Sequence, residues 1–366
     1  MSRTTSTTLR HAAGSMLVVG LSGPELTGLE RAWLKLIQPA GIILFRRNVT
    51  DAKQTRALLA DATALCTSNN LRCVDIEGGT VDRLRDAVAP MPSAQAVAQT
   101  GSARLMREHG DLIARETLAF GFNTTLAPVL DLGLQASAKV MGTRTASPNP
   151  EAVTEYARNF LAGLAAHSVV GCGKHFPGLG GGTLDSHLET PAIERRWTEL
   201  WAEDLAPYRS LVRELPMVMV NHATYPATKG GLVPATGSHF WITKVLRERI
   251  GYKGLIFSDD MEMGGILKFA PMEEAAILAV RAGIHIMEIC HSPELILHAY
   301  ESLLREAERS ASFRKLLLDR AASARRLRKA RFASQPSRAL TTTQLAALRE
   351  RVLRFRETVE KETPGI

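Results

Sequence analysis

A regular alternation of short apolar runs with longer helical segments restricts the fold of this sequence more than any other feature. The predicted strands are 15–21, 41–45, 71–77, 125–131, 169–176, 217–222, 254–260 and 284–290. The predicted helices include 51–66, 105–119, 150–166, 196–214, 242–250 and 273–282. Continuous apolar runs are typical of strands covered on both faces, as in parallel sheets flanked by helices. Eight such units predict an α/β fold, a (β/α)8 TIM-type barrel, with an open doubly wound sheet as the alternative.

Polar and charged residues collect at the ends of five consecutive predicted strands. They are Asp75 and Glu77, Asp131, Lys174 and His175, Asn221 and His222, and Asp259 and Asp260. In a barrel of parallel strands, the active site is built at the carboxyl ends of the strands and in the loops that follow them. The sequence therefore predicts an active site at this end of the barrel.

The segment 174–187 carries the strongest chemical signal. Lys174 and His175 end a strand, a glycine-rich loop follows, and the loop brings Asp185 two residues before His187. A carboxylate beside a histidine can accept the ring N–H and raise the basicity of the imidazole, which suits a general acid/base. The glycines fit neither the P-loop nor the dinucleotide-binding pattern. A metal site formed by His175, Asp185 and His187 would need a further ligand at regular spacing, and none is apparent.

Two adjacent carboxylates, Asp259 and Asp260, end another buried strand. Successive side chains on a strand point to opposite sides, so one carboxylate can face the barrel axis while the other caps the following helix. A carboxylate at the axis suits attack on an anomeric carbon, which gives a covalent glycosyl intermediate that water later opens.

Three motifs together resemble glycoside hydrolase family 3. They are Lys-His-Phe-Pro-Gly at 174–178, Asp-Ser-His at 185–187 and Phe-Ser-Asp-Asp-Met at 257–261, within a resemblance that covers 15–293. Within the family, the match is to the bacterial β-N-acetylhexosaminidase branch that trims muropeptides during cell-wall recycling. The resemblance implies a cytoplasmic, retaining exo-β-N-acetylglucosaminidase that acts on a small-molecule carbohydrate, a glycoside ending in N-acetylglucosamine. The sequence shows no metal site and no organic cofactor site, and the implied mechanism needs neither.

The resemblance also implies roles for individual residues. Asp259 matches the nucleophile, His187 the general acid/base and Asp185 the carboxylate that orients this histidine. The residues that match sugar-binding positions are Asp75, Arg83, Arg144, Lys174 and His175.

The sequence departs from the usual family pattern at several positions. Ile76 and Thr80 stand where family members usually have Gln and Arg, Leu179 replaces a histidine, and His285 replaces an aspartate. Thr145-Ala146 replaces Ser-Phe. None of these departures touches the expected nucleophile or the Asp-His pair, but they bear on which group follows the first sugar.

The formal net charge of +8 divides the chain into two predicted parts. Residues 301–366 hold 16 Lys and Arg against 8 Asp and Glu, whereas residues 1–300 hold 29 of each. We therefore predict a family 3 barrel domain over 1–300 and a basic C-terminal helical extension over 301–366, with a second helix of the extension at 342–361. Such charge runs are usually solvated helix faces, so no nucleic-acid partner is expected.

The location of the protein follows from its apolar runs and cysteines. No run approaches the roughly 18–20 residues of a membrane span, and the run 16–21 is too short for a signal-peptide core. Four cysteines without paired spacing fit reduced thiols. We expect a cytoplasmic protein that does not insert into membranes.

Several alternatives remain open at this point. Within the same chemistry, the chain could be a β-glucosidase, or a phosphorylase in which phosphate replaces water as the acceptor. In other classes, it could be a non-catalytic sugar-binding barrel or a basic nucleic-acid-binding protein, although the neutral body argues against the last.

Overall fold

The computed structural model describes residues 3–182, 190–332 and 339–363, and a strand forms in each of the eight predicted regions. The strands are β1 (Leu17–Gly20), β2 (Gly41–Leu44), β3 (Leu71–Val74), β4 (Thr124–Thr125), β5 (Cys172–Phe176), β6 (Met217–Val220), β7 (Leu255–Asp260) and β8 (Ile286–Ile289). Neighbours pair in parallel in the order β4-β3-β2-β1-β8-β7-β6-β5. The two ends of this sheet approach each other, which confirms the predicted barrel.

Backbone hydrogen bonds close the barrel between the segments around β4 and β5. The Thr125 N–H donates to Val170 O at 3.1 Å, and the Cys172 N–H donates to Ala127 O at 2.7 Å. β4 is only two residues long, and Pro128, a short distance beyond it, has no N–H to donate to a ladder. The closure therefore continues as isolated bridges rather than as a regular strand.

Helices alternate with the strands and surround them. They are α1 (Arg3–Gly14), α2 (Gly28–Ile37), α3 (Ala52–Thr63), α4 (Ala94–Gln99), α5 (Ala103–Ala119), α6 (Ala138–Met141), α7 (Pro150–Ala165), α8 (Trp197–Ala202), α9 (Ala206–Ser210), α10 (Gly264–Leu267), α11 (Met272–Ala282), α12 (Pro293–Arg309), α13 (Ala311–Phe332) and α14 (Thr342–Glu362), with a π-helix at Phe240–Arg249. Side-chain oxygens of Asp51 and Asn149 cap α3 and α7 by accepting backbone N–H groups of the first turn.

Two of the local differences between the sequence prediction and the structure have a clear place in the chain. The predicted helix 196–214 forms as α8 and α9, because Pro207 in the first turn of α9 cannot donate the hydrogen bond that a continuous helix requires. The predicted strand 71–77 ends at Val74, and an antiparallel hairpin of Ile76–Gly78 and Val81–Asp82 follows it. This hairpin carries part of the site described below.

Helix α13 covers the end of the barrel opposite the predicted active site. Ala324 is fully buried against a cluster of apolar side chains inside the barrel, and Leu327 and Phe332 pack beside it. The buried Arg328 guanidinium donates to Ala40 O and Thr67 Oγ1, both at 3.0 Å, just before strand β2 and in the loop before β3. This part of the basic segment is therefore a structural element of the barrel.

Helix α14 packs on the outside of the barrel. Its buried residues Leu348, Val352 and Phe355 recur every three or four positions, which places them on one helix face. The Phe355 ring stacks on His109 of α5, with 5.8 Å between the ring centroids. The division of the chain at residue 300 remains a prediction, and α12 runs across that position without a break. Among the residues that the structure describes, no helix is both long and apolar enough to cross a bilayer.

Candidate active site

A cleft of about 410 Å³ opens at the carboxyl ends of the barrel strands. Its lining combines apolar side chains with a dense set of ionisable ones. The ionisable residues are Asp75, Glu77, Arg83, Arg144, Lys174, His175, Asp259, Asp260, Glu288, Cys290 and His291. A concave site with convergent polar groups at this face of a barrel is the usual position of an active site.

Asp75 enters the cleft from the junction between β3 and the hairpin, and Glu77 from the first strand of the hairpin. Gly78 and Gly79 have φ values of +90° and +64°, and a Cβ added to Gly78 would lie 2.1 Å from Pro92 O. A side chain at Gly78 is therefore excluded both by backbone conformation and by space. The glycine pair turns the chain directly after Glu77. This turn places the Glu77 carboxylate in the lining of the cleft.

Glu77 joins the two cations Arg144 and Lys174. Its carboxylate accepts from Arg144 Nε at 2.8 Å and Nη2 at 2.9 Å, while Lys174 Nζ lies 2.6 Å from its Oε1. Burial opposes charge on all three groups, but ion pairing outweighs it. Arg144 and Lys174 hold the pKa of Glu77 far below its usual range, Glu77 raises the pKa of Arg144, and Asp75 and Glu77 raise that of Lys174. All three side chains are therefore charged at neutral pH.

Asp75 shares Lys174 with Glu77 and also faces a third cation, Arg83. Its Oδ1 accepts from Lys174 Nζ at 2.9 Å, and its Oδ2 lies 3.7 Å from Arg83 Nη2. The Arg83 guanidinium also lies over the Phe45 ring, 5.5 Å from its centroid. The Asp75 side chain remains 13% exposed, so its oxygens can reach a ligand in the cleft.

His175 is oriented by a carboxylate that the sequence analysis recognised only as a strand end. Its Nδ1 lies 2.6 Å from Asp131 Oδ2, and its Nε2 lies 3.4 Å from Arg144 Nη2. The second oxygen of Asp131 accepts the backbone N–H of Leu179 at 2.7 Å. Asp131 therefore holds both the end of β5 and the beginning of the loop that leads toward 183–189.

Asp259 lies at the end of β7 and faces β5 and β6. Burial raises the pKa of its carboxyl, but the charges of His175, His222 and Lys174 and the Asp260 N–H lower it by more, so the net pKa is below the usual value. The Asp260 N–H donates to Asp259 Oδ1 at 3.0 Å. The side chain is therefore a carboxylate anion, the form that a nucleophile requires.

Asp260 differs from Asp259 in its surroundings. Burial and the neighbouring Glu262 carboxylate raise the pKa of Asp260 to about 7. Its Oδ1 accepts the Glu262 N–H at 3.1 Å, and its Oδ2 lies 3.7 Å from His291 Nδ1. The two adjacent carboxylates thus face different neighbours.

The structure brings six of the eight predicted site residues to one cleft. They are Asp75, Arg83, Arg144, Lys174, His175 and Asp259. The other two, Asp185 and His187, lie outside the described residues. The assigned roles of all eight remain predictions. The prediction omitted Glu77, although its place at a strand end was a signal, and it also omitted Glu288 and His291, which no motif indicated.

Comparison with known proteins identifies the family of this chain. The model described as "Glycosyl hydrolase family 3 N terminal domain" matches residues 8–317. The chain belongs to glycosyl hydrolase family 3. A β-hexosaminidase from Alkalilimnicola ehrlichii is 39% identical over 287 residues, 76% of this chain and 82% of the relative. A β-hexosaminidase from Methylococcus capsulatus is 37% identical over 300 residues, covering 81% and 89% of the two chains. The family 3 chain is accordingly a glycoside hydrolase of the β-hexosaminidase type.

Solved structures of family 3 enzymes have the same fold. NagZ from Neisseria gonorrhoeae superposes with a TM-score of 0.71 at 32% identity, over 85% of this chain and 98% of that chain. A family 3 β-N-acetylglucosaminidase from Paenibacillus sp. FPU-7 gives a TM-score of 0.85 at 29% identity, over 95% of this chain and 68% of that one. The family 3 barrel therefore agrees with the fold predicted from the sequence.

Proposed function

We propose that the protein is a retaining exo-β-N-acetylglucosaminidase whose covalent intermediate forms on Asp259. The observation that carries this proposal is the ionised Asp259 carboxylate in a cleft that also holds Asp75, Lys174 and Arg144. Relatives named β-hexosaminidase support the same chemistry. The proposed natural substrates are muropeptides that end in N-acetylglucosamine, processed in the cytoplasm during cell-wall recycling.

The charged groups around Asp75 suit the binding of sugar hydroxyls. A carboxylate can accept two adjacent O–H groups, while Lys174 and Arg83 can donate to their oxygens. Because Glu77 and Asp75 together balance the charges of Lys174 and Arg144, a neutral sugar meets a site whose charges are already paired. The free energy of sugar binding can then be used to orient the sugar rather than to neutralise charges of the cleft.

The proposed reaction has two displacement steps. In the first, His187 as imidazolium gives its proton to the glycosidic oxygen while an Asp259 oxygen attacks the anomeric carbon, which breaks the bond to the leaving group. In the second, neutral His187 takes a proton from water as the water oxygen attacks the same carbon and releases Asp259. Asp185 stabilises the imidazolium in this scheme. Two inversions retain the β configuration.

The first experiment tests the substrate class and the nucleophile. We expect the protein to hydrolyse an aryl N-acetyl-β-glucosaminide much faster than the matching β-glucoside or β-xyloside, with the β anomer as first product by NMR. A fluorinated sugar trap should label Asp259, and Asp259→Asn should abolish both turnover and labelling. A label on Asp260, or an α-configured first product, would refute the proposed mechanism. If the enzyme formed no sugar phosphate when phosphate was added to the reaction, the phosphorylase alternative would be excluded.

The second experiment tests His187. A positioned proton donor is worth about 10²–10⁴-fold in rate. We therefore expect His187→Ala to slow a poor leaving group by this order and a nitrophenyl leaving group far less. Equal loss on both substrates would contradict the acid role.

A further inference from the structure

A second group of reactive side chains lines the cleft near Asp259, at the ends of β7 and β8. Asp260 ends β7, and Cys290 and His291 directly follow β8. These strands are neighbours, and Glu288 pairs in register with Asp260. The parallel ladder thus brings one possible ligand atom from each of Asp260, Cys290 and His291 within 4.8 Å of one another.

Two further carboxylates surround these three atoms. Glu262 Oε2 lies 3.0 Å from His291 Nδ1, and Glu262 Oε1 accepts the Ser292 N–H at 2.6 Å. The Cys290 thiol donates to Glu288 Oε1 at 3.2 Å. Glu288 is 3% exposed, and its other oxygen, Oε2, is buried without a hydrogen-bond partner among the described residues. A buried polar oxygen without a partner costs free energy, and a cation bound at this position would supply a partner.

We propose that Asp260, Cys290 and His291 bind a divalent transition metal, with zinc as the best match. A thiolate, an imidazole and a carboxylate form a tetrahedral donor set with one position left for water or for a second carboxylate. Sulfur and imidazole ligands favour zinc over magnesium or calcium, which take oxygen ligands. On binding, the Cys290 S–H bond breaks, sulfur bonds to the metal and the proton passes to the solvent. No oxidation is involved.

The position of the metal site suggests its effect, and this step rests on the proposed function. Asp260, Cys290 and His291 line the same cleft as Asp259 and Asp75. A metal held there occupies part of the space that a sugar would enter and places a positive charge beside the nucleophile. We therefore expect the metal to inhibit glycoside hydrolysis rather than to support it.

The test measures metal binding directly, on untagged full-length protein with reduced thiols. Zinc binding is measured by calorimetry, and cobalt(II) binding by the charge-transfer absorption that a cobalt–thiolate bond produces. The variants are His291→Asn, at a half-exposed side chain, and Cys290→Ala, at a buried one. The matched controls are His298→Asn and Cys66→Ala, which change the same residue types away from the site.

We expect one zinc per chain, and an affinity at least about tenfold lower in both site variants but unchanged in both controls. The cobalt–thiolate band should disappear in Cys290→Ala and persist in Cys66→Ala. No saturable binding, or equal affinity in wild type and His291→Asn, would overturn the proposal even if Cys290→Ala failed to fold.

Binding is measured without turnover, so the two proposals can fail separately. Zinc binding in a protein that cleaves no glycoside would refute the proposed function alone. Turnover that zinc leaves unchanged at saturating occupancy would refute only the inhibitory effect.

Discussion

Replacing Glu77 by glutamine tests whether the buried cations Arg144 and Lys174 depend on the Glu77 carboxylate for their stability in the cleft. Glu77→Gln keeps the size of the side chain but removes the charge that balances Arg144 and Lys174. Lys174 keeps Asp75 as a partner at 2.9 Å, whereas Arg144 has no other ion pair among the described residues. Three charge-assisted contacts, at 2.6, 2.8 and 2.9 Å, are weakened together.

The expected magnitude follows from burial. The side chain of Glu77 is 2% exposed and that of Arg144 is 17% exposed, so water can replace the lost charge only in part. Removing one partner of a buried ion pair typically costs about 3–5 kcal/mol of unfolding free energy. The surviving Lys174–Asp75 pair limits the loss, so we expect about 3 kcal/mol. The KM for an N-acetyl-β-glucosaminide should also rise, because both cations line the cleft.

The assay is urea unfolding followed by tryptophan fluorescence, with Glu214→Gln as the matched control. Glu214 also accepts from an arginine, Arg158, at 3.1 and 3.2 Å, but both side chains are more than one-third exposed. An exposed pair contributes about 0–1 kcal/mol. If Glu77→Gln lost no more stability than Glu214→Gln, the argument that Glu77 is a buried anion on which the two cations depend would be refuted.

Three further predictions concern other parts of the barrel. Burial raises the pKa of Asp204 to about 7 from an ordinary 3.8, and it outweighs the opposing effect of Arg195 Nε at 3.1 Å, so the folded protein holds a proton that the unfolded chain releases. Stability should then fall by at most about 4 kcal/mol as the pH rises from about 4 to about 7, and Asp204→Asn should flatten this decline in urea titrations. Arg328→Met should change thermal stability by less than about 1 kcal/mol, because Ala40 O keeps its bond from the β3 backbone and a buried charge is removed; a loss above 3 kcal/mol would contradict this. Phe355→Ala should cost about 3–5 kcal/mol in urea unfolding by emptying the space beside His109, and a loss below 1 kcal/mol would mean that α14 adds little to the barrel.

The barrel could be predicted from the sequence because its strands are continuous apolar runs that helices cover on both faces. The exception is the region of β4, where one isolated bridge, between Val129 and Lys174, is the pairing described beyond Thr125 in the predicted run 125–131. Periodicity reports burial, and residues 126–130 are all buried. The apolar pattern does not show which backbone groups form hydrogen bonds, so it could not predict the length of the strand.

The candidate site was predictable where its residues end strands and less so where a turn positions them. Lys174, His175 and Asp259 lie in strands whose ends the apolar pattern marks. The contact of Glu77 with Arg144 joins residues 67 positions apart, and it depends on the hairpin that follows Asp75. The sequence around either residue does not indicate such a contact. The packing of α13 under the barrel is likewise a long-range fact, since Arg328 reaches Ala40 across 288 positions.

The end of β7 shows how one strand can serve two chemical environments. Asp259 lies near Lys174 and His175 of β5 and His222 just after β6, which lower its pKa. Asp260 lies beside Glu262 and opposite Glu288 of β8, and its pKa is raised. Strand geometry sends adjacent side chains in opposite directions, so this separation is a consequence of β7 continuing to residue 260. Asp259→Asn should therefore abolish turnover while zinc affinity changes little, and Asp260→Asn should weaken zinc binding at least about tenfold. If both substitutions affected both properties equally, the two carboxylates would belong to a single site, and the proposed division between nucleophile and metal ligand would be wrong.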